Sequence, residues 1–274
     1  LTLIAVLATV AFGQERIVST SPAITETLYA LGAGTRVVGV SAYCRYPQDA
    51  VTKPKVGSWL RPNTEVIVRL NPDLVIVERL PNQFLERLKG SGIRVETVVI
   101  GDVNANLKLI ESIATATRTQ ERGAQVIKNI RDSLNRIEVD ARPLKRRSVI
   151  FVVGRTPGRL EGMVAVGKGS YLNELLAIAG GQNLLSNSAL AYPKVSLEAI
   201  VRLQPDVIID MGDMAQTEGV SEDHKKSVIQ LWKSRPEITA RVHAVADDIF
   251  VVPGPRMVEA ASTFKKLIHG DRPR

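Results

Sequence analysis

The chain contains one cysteine, Cys44, and three histidines. A single cysteine excludes an intrachain disulfide, so packing alone has to hold the fold together. Tight zinc or manganese sites need several histidines and carboxylates that converge, and none of the histidines falls in a loop that we expect to line a binding cleft. We therefore expect no metal site and no free metal ion as cargo.

Sequence motifs of catalysis are also missing. GxSxG, HExxH and Walker-type loops do not occur, and the glycines between 154 and 169 lack the spacing of a phosphate-binding loop. His224 is expected in a polar loop and His243 in a strand, and neither lies beside a suitable nucleophile. A secreted hydrolase-like or deacetylase-like enzyme is the least favoured alternative, and we expect no catalytic residues.

Beyond its first twelve residues the chain has no long apolar run. That first run is too short to span a bilayer, which takes about 20 residues, and Ala11 and Gly13 occupy the −3 and −1 positions of an export cleavage site. We interpret residues 1–13 as a signal peptide without its start, with a buried strand or helix as the alternative. Because no cysteine follows for lipid attachment, we expect a freely diffusing periplasmic protein that is not embedded in the membrane.

The net charge is +8, and a basic balance can indicate a nucleic-acid partner. A nucleic-acid surface needs clustered lysine and arginine together with aromatic rings. The densest basic run, from Arg142 to Arg147, lies in a segment that we interpret as a solvated connection. Nucleic acid is therefore not an expected partner.

A thirteen-residue pattern occurs twice, as EVIVRLNPDLVIV at 65–77 and as EAIVRLQPDVIID at 198–210, 133 residues further on. Asn63 and Ser196 precede the two copies at equivalent positions, and both residue types are good helix N-caps. Each copy predicts a short helix, a proline that ends it, and a buried parallel strand of aliphatic residues. The repeat indicates two similar α/β halves.

Between the copies, a helical pattern runs from about 106 to 139, with a break expected at Thr117 to Thr119. The second helix, from Gln120, is expected to be about 30 Å long. We expect an α/β protein of two lobes with mostly parallel sheets, joined by a long backbone helix, with a ligand cleft between the lobes. The predicted segments are a signal peptide at 1–13, an N-terminal lobe at 14–105, linking helices at 106–142 and a C-terminal lobe at 143–274.

Aromatic residues make up only 4% of the chain, yet several fall in loops. Trp59 and Tyr192 are 133 residues apart, so they occupy equivalent positions in the repeat. Tyr43 and Tyr46 lie in the loop before Trp59. Exposed rings favour a large, flat, partly apolar ligand, and the alternative is that the rings pack against their own loops.

Four stretches together resemble the class III periplasmic binding proteins, which deliver cargo to ABC importers. They are Ile17 to Ser41, Tyr43 to Pro47, Gly57-Ser58-Trp59 and Asn71 to Ile76. These proteins have two lobes joined by one backbone helix, and they carry cobalamin, haem or siderophores. The six-residue spacings from Trp59 to Glu65 and from Tyr192 to Glu198 are most similar to the cobalamin-binding members.

The resemblance implies roles for individual residues. Tyr46 and Trp59 would contact the corrin ring from the first lobe, and Tyr43 is a further ligand-binding candidate from its place in the same loop. Tyr192 would do so from the second lobe, although the family pattern has a tryptophan there. Arg256 would reach the cleft, and a surface or capping role is the alternative. Cobalamin or a related corrinoid is then the transported ligand, no cofactor is expected, and the protein is expected to be a monomer.

Glu65 and Glu198 match two surface glutamates that dock onto arginines of the membrane permease, and stabilisation of a helix terminus is the alternative. Glu78 departs from the family pattern, because an aromatic residue is expected after that strand. A ferric siderophore or haem is the alternative cargo. An anionic siderophore would need several converging arginines, for which the candidates are Arg45, Arg61, Arg155 and Arg256.

Overall fold

The computed structural model describes residues 15–79, 82–212 and 222–270. The predicted signal peptide at 1–13 lies outside this part of the chain. The chain divides into two compact units, residues 1–98 and 99–274, so both helices that we expected to link the lobes fall in the second unit. The ligand cleft between the lobes stays a prediction.

The first unit is built around a four-stranded sheet in the order β2-β1-β3-β4, with every pair parallel. Its strands are β1 (Ile17–Ser19), β2 (Val37–Val40), β3 (Leu74–Glu78) and β4 (Arg94–Val98). Its helices are α1 (Pro22–Ala30), α2 (Gln48–Val51), α3 (Thr64–Arg69) and α4 (Asn82–Gly90). Because all the strands run the same way, their carboxyl ends meet at one edge, which we call the carboxyl edge of unit 1.

The second unit has a mixed sheet in the order β10-β9-β5-β6-β8, with β7 paired to β5. Its strands are β5 (Arg147–Gly154), β6 (Met163–Ala165), β7 (Gly181–Asn183), β8 (Lys194–Val195), β9 (Val207–Asp210) and β10 (Arg241–Ala244). Its helices are α5 (Val103–Ala116), α6 (Gln120–Ala141), α7 (Tyr171–Ile178), α8 (Leu197–Leu203), α9 (Glu222–Lys233) and α10 (Met257–His269). Among the described strands of this sheet, the antiparallel pairs are those that β6 makes with β5 and β8. The prediction of two α/β halves with mostly parallel sheets is therefore confirmed.

The helix break predicted at Thr117 to Thr119 is also confirmed. Arg118 has a φ of +58°, in the left-handed region, and a residue in that conformation does not continue a right-handed helix. The Thr117 hydroxyl donates to the Ile113 carbonyl at 2.7 Å, which satisfies the last turn of α5. Helix α6 then runs for 22 residues, or about 33 Å.

The repeat has the local structure that its sequence predicts. The Asn63 side chain accepts a hydrogen bond from the Val66 N–H, and the Ser196 side chain accepts one from the Ala199 N–H. Both residues are therefore N-caps, of α3 and α8, and each helix leads into a parallel strand buried in its sheet. The repeated isoleucine of each helix is fully buried in its own unit's core.

Each unit has its own apolar core. In unit 1, Val18 and Val75 of the sheet pack with Leu88 of α4. In unit 2, Ile150 and Ile208 pack with Trp232 of α9. Among the described residues, every helix is too short or too polar to cross a bilayer.

Candidate functional site

The loop that carries Trp59 starts as a continuation of the sheet in unit 1. Val56 N–H donates to the Val40 carbonyl and Ala42 N–H donates to the Gly57 carbonyl, both at 2.9 Å, so this segment runs beside the end of β2. Gly57 has a φ of +95°, and a Cβ there would lie 2.7 Å from the Arg61 carbonyl oxygen. The turn that follows therefore requires glycine, and it presents Trp59 at the carboxyl edge with 42% of the residue exposed.

Tyr43 and Tyr46 lie in the same segment, between β2 and α2, and both are exposed. The hydrogen bond from the Ala42 N–H to the Gly57 carbonyl joins two neighbouring segments of the backbone. Tyr43 and Trp59 lie just after the residues that it joins. The structure therefore brings the predicted aromatic residues of the first lobe to one edge of one sheet. Open parallel sheets bind ligands beyond this edge.

A carboxyl group that had no assigned role lies at the same edge. Glu78 is the last residue of β3, and the register that pairs Ser19 with Ile76 continues through Thr20, whose N–H and hydroxyl both donate to the Ile76 carbonyl. This places Ser21 beside Glu78. Burial raises the pKa of Glu78, and the Ser21 hydroxyl opposes part of that rise.

In unit 2, Tyr192 lies in the loop before β8. Gly167 N–H donates to the Ala191 carbonyl at 2.8 Å, and a Cβ on Gly167 would lie 2.3 Å from the Leu190 carbonyl oxygen, so two backbone segments pass in close contact here. The Ser170 hydroxyl donates to the Tyr192 phenol oxygen at 3.1 Å, and burial raises the pKa of that phenol. Tyr192 is 45% exposed, a fraction similar to the 42% of its repeat equivalent Trp59.

The two arginines expected to serve cargo from unit 2 are held internally. Arg256 is the N-cap of α10, and its guanidinium lies 2.8 Å from Asp248 Oδ1. Arg155 Nε lies 2.9 Å from Asp210 Oδ2, and both side chains are almost completely inaccessible. The expectation that Arg155 presents its charge to an anionic siderophore was wrong, because Asp210 neutralises that charge inside the unit.

Glu65 and Glu198 occupy the first turns of α3 and α8, and both are exposed. Hydrogen bonds from its own N–H and from the Ser196 hydroxyl lower the pKa of Glu198, which keeps that carboxylate ionised. Within the described residues, neither carboxylate makes an ion pair. Their charges are thus available to a cation on another protein.

A groove of 850 Å³ on unit 2 adjoins Glu198. Its lining contains no aromatic ring, which suits it poorly to a flat cargo. Its lining combines apolar residues with charged ones of both signs, which are Arg159, Glu161, Lys194, Glu198 and Arg235.

Metal-binding groups do not converge in the part of the chain that the structure describes: no three His, Cys, Asp or Glu side chains lie close enough to share an ion. The single thiol, Cys44, is buried, and burial raises its pKa to about 11. The groups that the described residues present for binding are thus the exposed rings of Tyr43, Tyr46, Trp59 and Tyr192, the half-buried carboxyl of Glu78, and the exposed carboxylates of Glu65 and Glu198.

The chain belongs to the periplasmic binding protein family, whose model matches residues 17–248. It is 29% identical, over 94% of its length and 81% of the relative's, to an uncharacterised ABC transporter substrate-binding lipoprotein of Bacillus subtilis. It is 28% identical, over 90% of its length and 86% of the relative's, to the vitamin B12-binding protein of Pectobacterium carotovorum. The haem-binding protein RhuT of Roseiflexus superposes with a TM-score of 0.79 at 25% identity, over 94% of this chain and 98% of that one.

The chain is therefore the periplasmic substrate-binding protein of an ABC importer. Its relatives and structural neighbours are binding proteins, not enzymes. Relatives named for B12 and structures named for haem are about equally similar to it, so the family assignment leaves the cargo open.

Proposed function

We propose that this protein captures a corrinoid of the cobalamin type and delivers it to an ABC permease. The observation that carries the proposal is the pair of half-exposed rings, Trp59 and Tyr192, on repeat-equivalent loops of the two units. Aromatic rings contribute large contact area and stacking, which suits a wide macrocycle better than a small polar solute. A relative named for vitamin B12, similar along most of the chain, supports the same cargo.

An anionic siderophore is the less favoured cargo. It would need several arginines with free charge, and two of the four candidates, Arg155 and Arg256, are bound to Asp210 and Asp248. Haem is the second candidate, favoured by the exposed phenol of Tyr43, since tyrosine is one of the residues that ligate haem iron. Absorbance of the protein as isolated distinguishes these cargoes, because corrinoids, haem and ferric chelates have different spectra.

The cargo proposal is tested with Trp59→Ala. We expect the unaltered protein to bind cyanocobalamin with submicromolar affinity, and the substitution to weaken binding by roughly 1–3 kcal/mol, the value of burying a large apolar side chain. Isothermal titration calorimetry measures both. Val139→Ala removes another exposed apolar side chain, from α6, and is the matched control. No cyanocobalamin binding by the unaltered protein would remove the corrinoid proposal and leave the importer assignment intact.

Delivery is proposed to depend on Glu65 and Glu198, whose exposed carboxylates would pair with arginines of the permease. Glu65→Arg with Glu198→Arg should abolish binding to the permease complex in nanodiscs, measured by surface plasmon resonance, with cargo affinity unchanged. Glu121→Arg is the matched control, because Glu121 is also an exposed first-turn glutamate, in α6. Equal binding of the double variant and the control would end the docking proposal.

A further inference from the structure

The carboxyl edge of unit 1 contains a polar pair that the proposed function does not use. The Ser21 side chain is buried, makes no cap hydrogen bond to α1, and has no partner of good geometry among the described residues. It lies close enough to the Glu78 carboxyl to lower that group's pKa. Both groups therefore keep hydrogen-bonding capacity at the edge where a cargo is proposed to bind.

Unit 2 supplies a comparison for this carboxyl group, offset by one residue, since the repeat equivalent of Asp210 is Val77 and that of Glu78 is Met211. In unit 2 the corresponding strand ends at Asp210, whose carboxylate is fully matched by Arg155 Nε at 2.9 Å, Trp232 Nε1 at 2.6 Å and Gly212 N–H at 2.6 Å. In unit 1, no described lysine or arginine lies within ion-pair distance of Glu78, and the neighbouring Arg79 is exposed. The Asp210 carboxylate is thus fully paired within unit 2, whereas the Glu78 carboxylate has no cationic partner within the described part of unit 1.

A half-buried carboxylate without a cationic partner costs free energy unless hydrogen-bond donors satisfy it, and the Ser21 hydroxyl satisfies it only in part. Within the described part of unit 1, Glu78 caps no helix and completes no ion pair, so the fold gains nothing visible from its charge. Such a group at a ligand-facing edge is expected to gain its partner from the ligand.

We propose that Glu78 and Ser21 form a hydrogen-bonding subsite for neutral N–H or O–H donors of the cargo, such as the primary amides on the periphery of a corrinoid. This inference rests on the proposed function. The Glu78 carboxyl accepts the donor, and its negative charge opposes a cargo that places carboxylates at this position, as the propionates of haem would. The subsite therefore selects amide-bearing macrocycles over carboxylate-bearing ones.

The test compares cyanocobalamin and hemin as probes on the unaltered protein, Glu78→Gln and Glu78→Ala, by equilibrium titration of absorbance and of tryptophan emission. Glu96→Gln is the matched control, because Glu96 is partly buried in the neighbouring strand β4 but pairs with Ile76, two residues before the edge. Thermal denaturation of each variant shows whether it is folded, and the isosteric Gln variant keeps the test valid where the Ala variant unfolds.

The unaltered protein should bind cyanocobalamin more tightly than hemin. Glu78→Gln should raise hemin affinity relative to cyanocobalamin affinity by about tenfold or more, the range expected for hydrogen bonds to charged groups, and Glu96→Gln should leave that ratio within about twofold. Tighter binding of hemin by the unaltered protein, or an unchanged ratio in Glu78→Gln, overturns this inference alone. Failure of the unaltered protein to bind cyanocobalamin, whether or not it binds hemin, overturns the corrinoid proposal and the inference with it.

Discussion

The buried carboxylate of Asp210 is the group whose loss we expect to destabilise unit 2 most. It is fully inaccessible and accepts hydrogen bonds from Arg155, Trp232 and the Gly212 backbone. Arg155 in turn donates to the Thr156 and Arg159 carbonyls, so the ion pair fixes the loop that follows β5. Asp210→Ala removes the acceptor of all three donors and leaves a guanidinium buried without its counter-charge.

The size of the effect follows from this geometry. Breaking a buried ion pair from one side costs about 3–5 kcal/mol, because the remaining charge is not compensated. With a urea m-value of about 1–3 kcal/mol/M, the unfolding midpoint of unit 2 should fall by about 2 M. The double variant Arg155→Met, Asp210→Val should recover much of this loss, since the repeat-equivalent position in unit 1 is the fully buried Val77. A residual cost of about 1–3 kcal/mol should remain from the unpaired indole of Trp232.

The assay uses the two tryptophans of the chain, one in each unit. In a Trp59→Phe background only Trp232 emits, so its fluorescence in urea follows the unfolding of unit 2. Asp132→Ala is the control, because it breaks an exposed pair with Lys128 that should contribute only about 0.3–0.5 kcal/mol. A loss below about 1 kcal/mol in Asp210→Ala would refute the argument that this pair is both buried and uncompensated.

Three further predictions concern single sites. Because Cys44 is buried and its pKa is raised to about 11, the thiol should resist Ellman's reagent at pH 8 until urea unfolds the protein; rapid labelling of native protein would contradict this. Asn63→Ala and Ser196→Ala should each lower stability by about 0.5–2 kcal/mol, and replacement by Gly by only a few tenths, in chemical denaturation. Burial raises the pKa of Glu78, so the ionised form is disfavoured in the folded state. Glu78→Gln should therefore raise the melting temperature at pH 7, and the gain should shrink as pH falls below the raised pKa of the folded state and vanish below the ordinary glutamate pKa of about 4.3.

The sequence predicts those parts of the fold whose signals are local. The N-caps Asn63 and Ser196, and the break at Thr117 to Thr119, depend on residues only a few positions apart, and the structure confirms them. Helix α9 was missed, because only Val228 and Trp232 form its buried stripe and the rest is polar. His224, expected in a loop, lies in the first turn of that helix, where pairs such as Lys225 with Glu222 support it.

The same distinction between local and long-range signals applies to the candidate site. Residues that a loop or a helix start exposes, such as Trp59 and Glu198, are recognisable from repeat spacing. The pairing of Arg155 with Asp210 joins positions 55 residues apart, and no local pattern shows that an arginine has found its partner inside the fold. The same is true of Ser21 and Glu78, which meet only because β1 and β3 are neighbours in the sheet.

The two copies of the repeat agree where a residue shapes the scaffold and differ where it ends a strand. The N-cap, the buried isoleucine and the strand itself contribute to the core of each unit, so the same physical requirements apply to both copies. The residues at the carboxyl ends contribute little to the sheet and are free to acquire other roles. In unit 2 the last residue of β9 is Asp210, which holds Arg155 and through it the loop after β5. Its repeat equivalent in unit 1 is the buried Val77, and the carboxyl group at the end of β3 belongs to the next residue, Glu78, which makes no ion pair within the described residues. Because no ion pair within the described part of unit 1 depends on Glu78, we expect substitutions there to change cargo preference without loss of the fold.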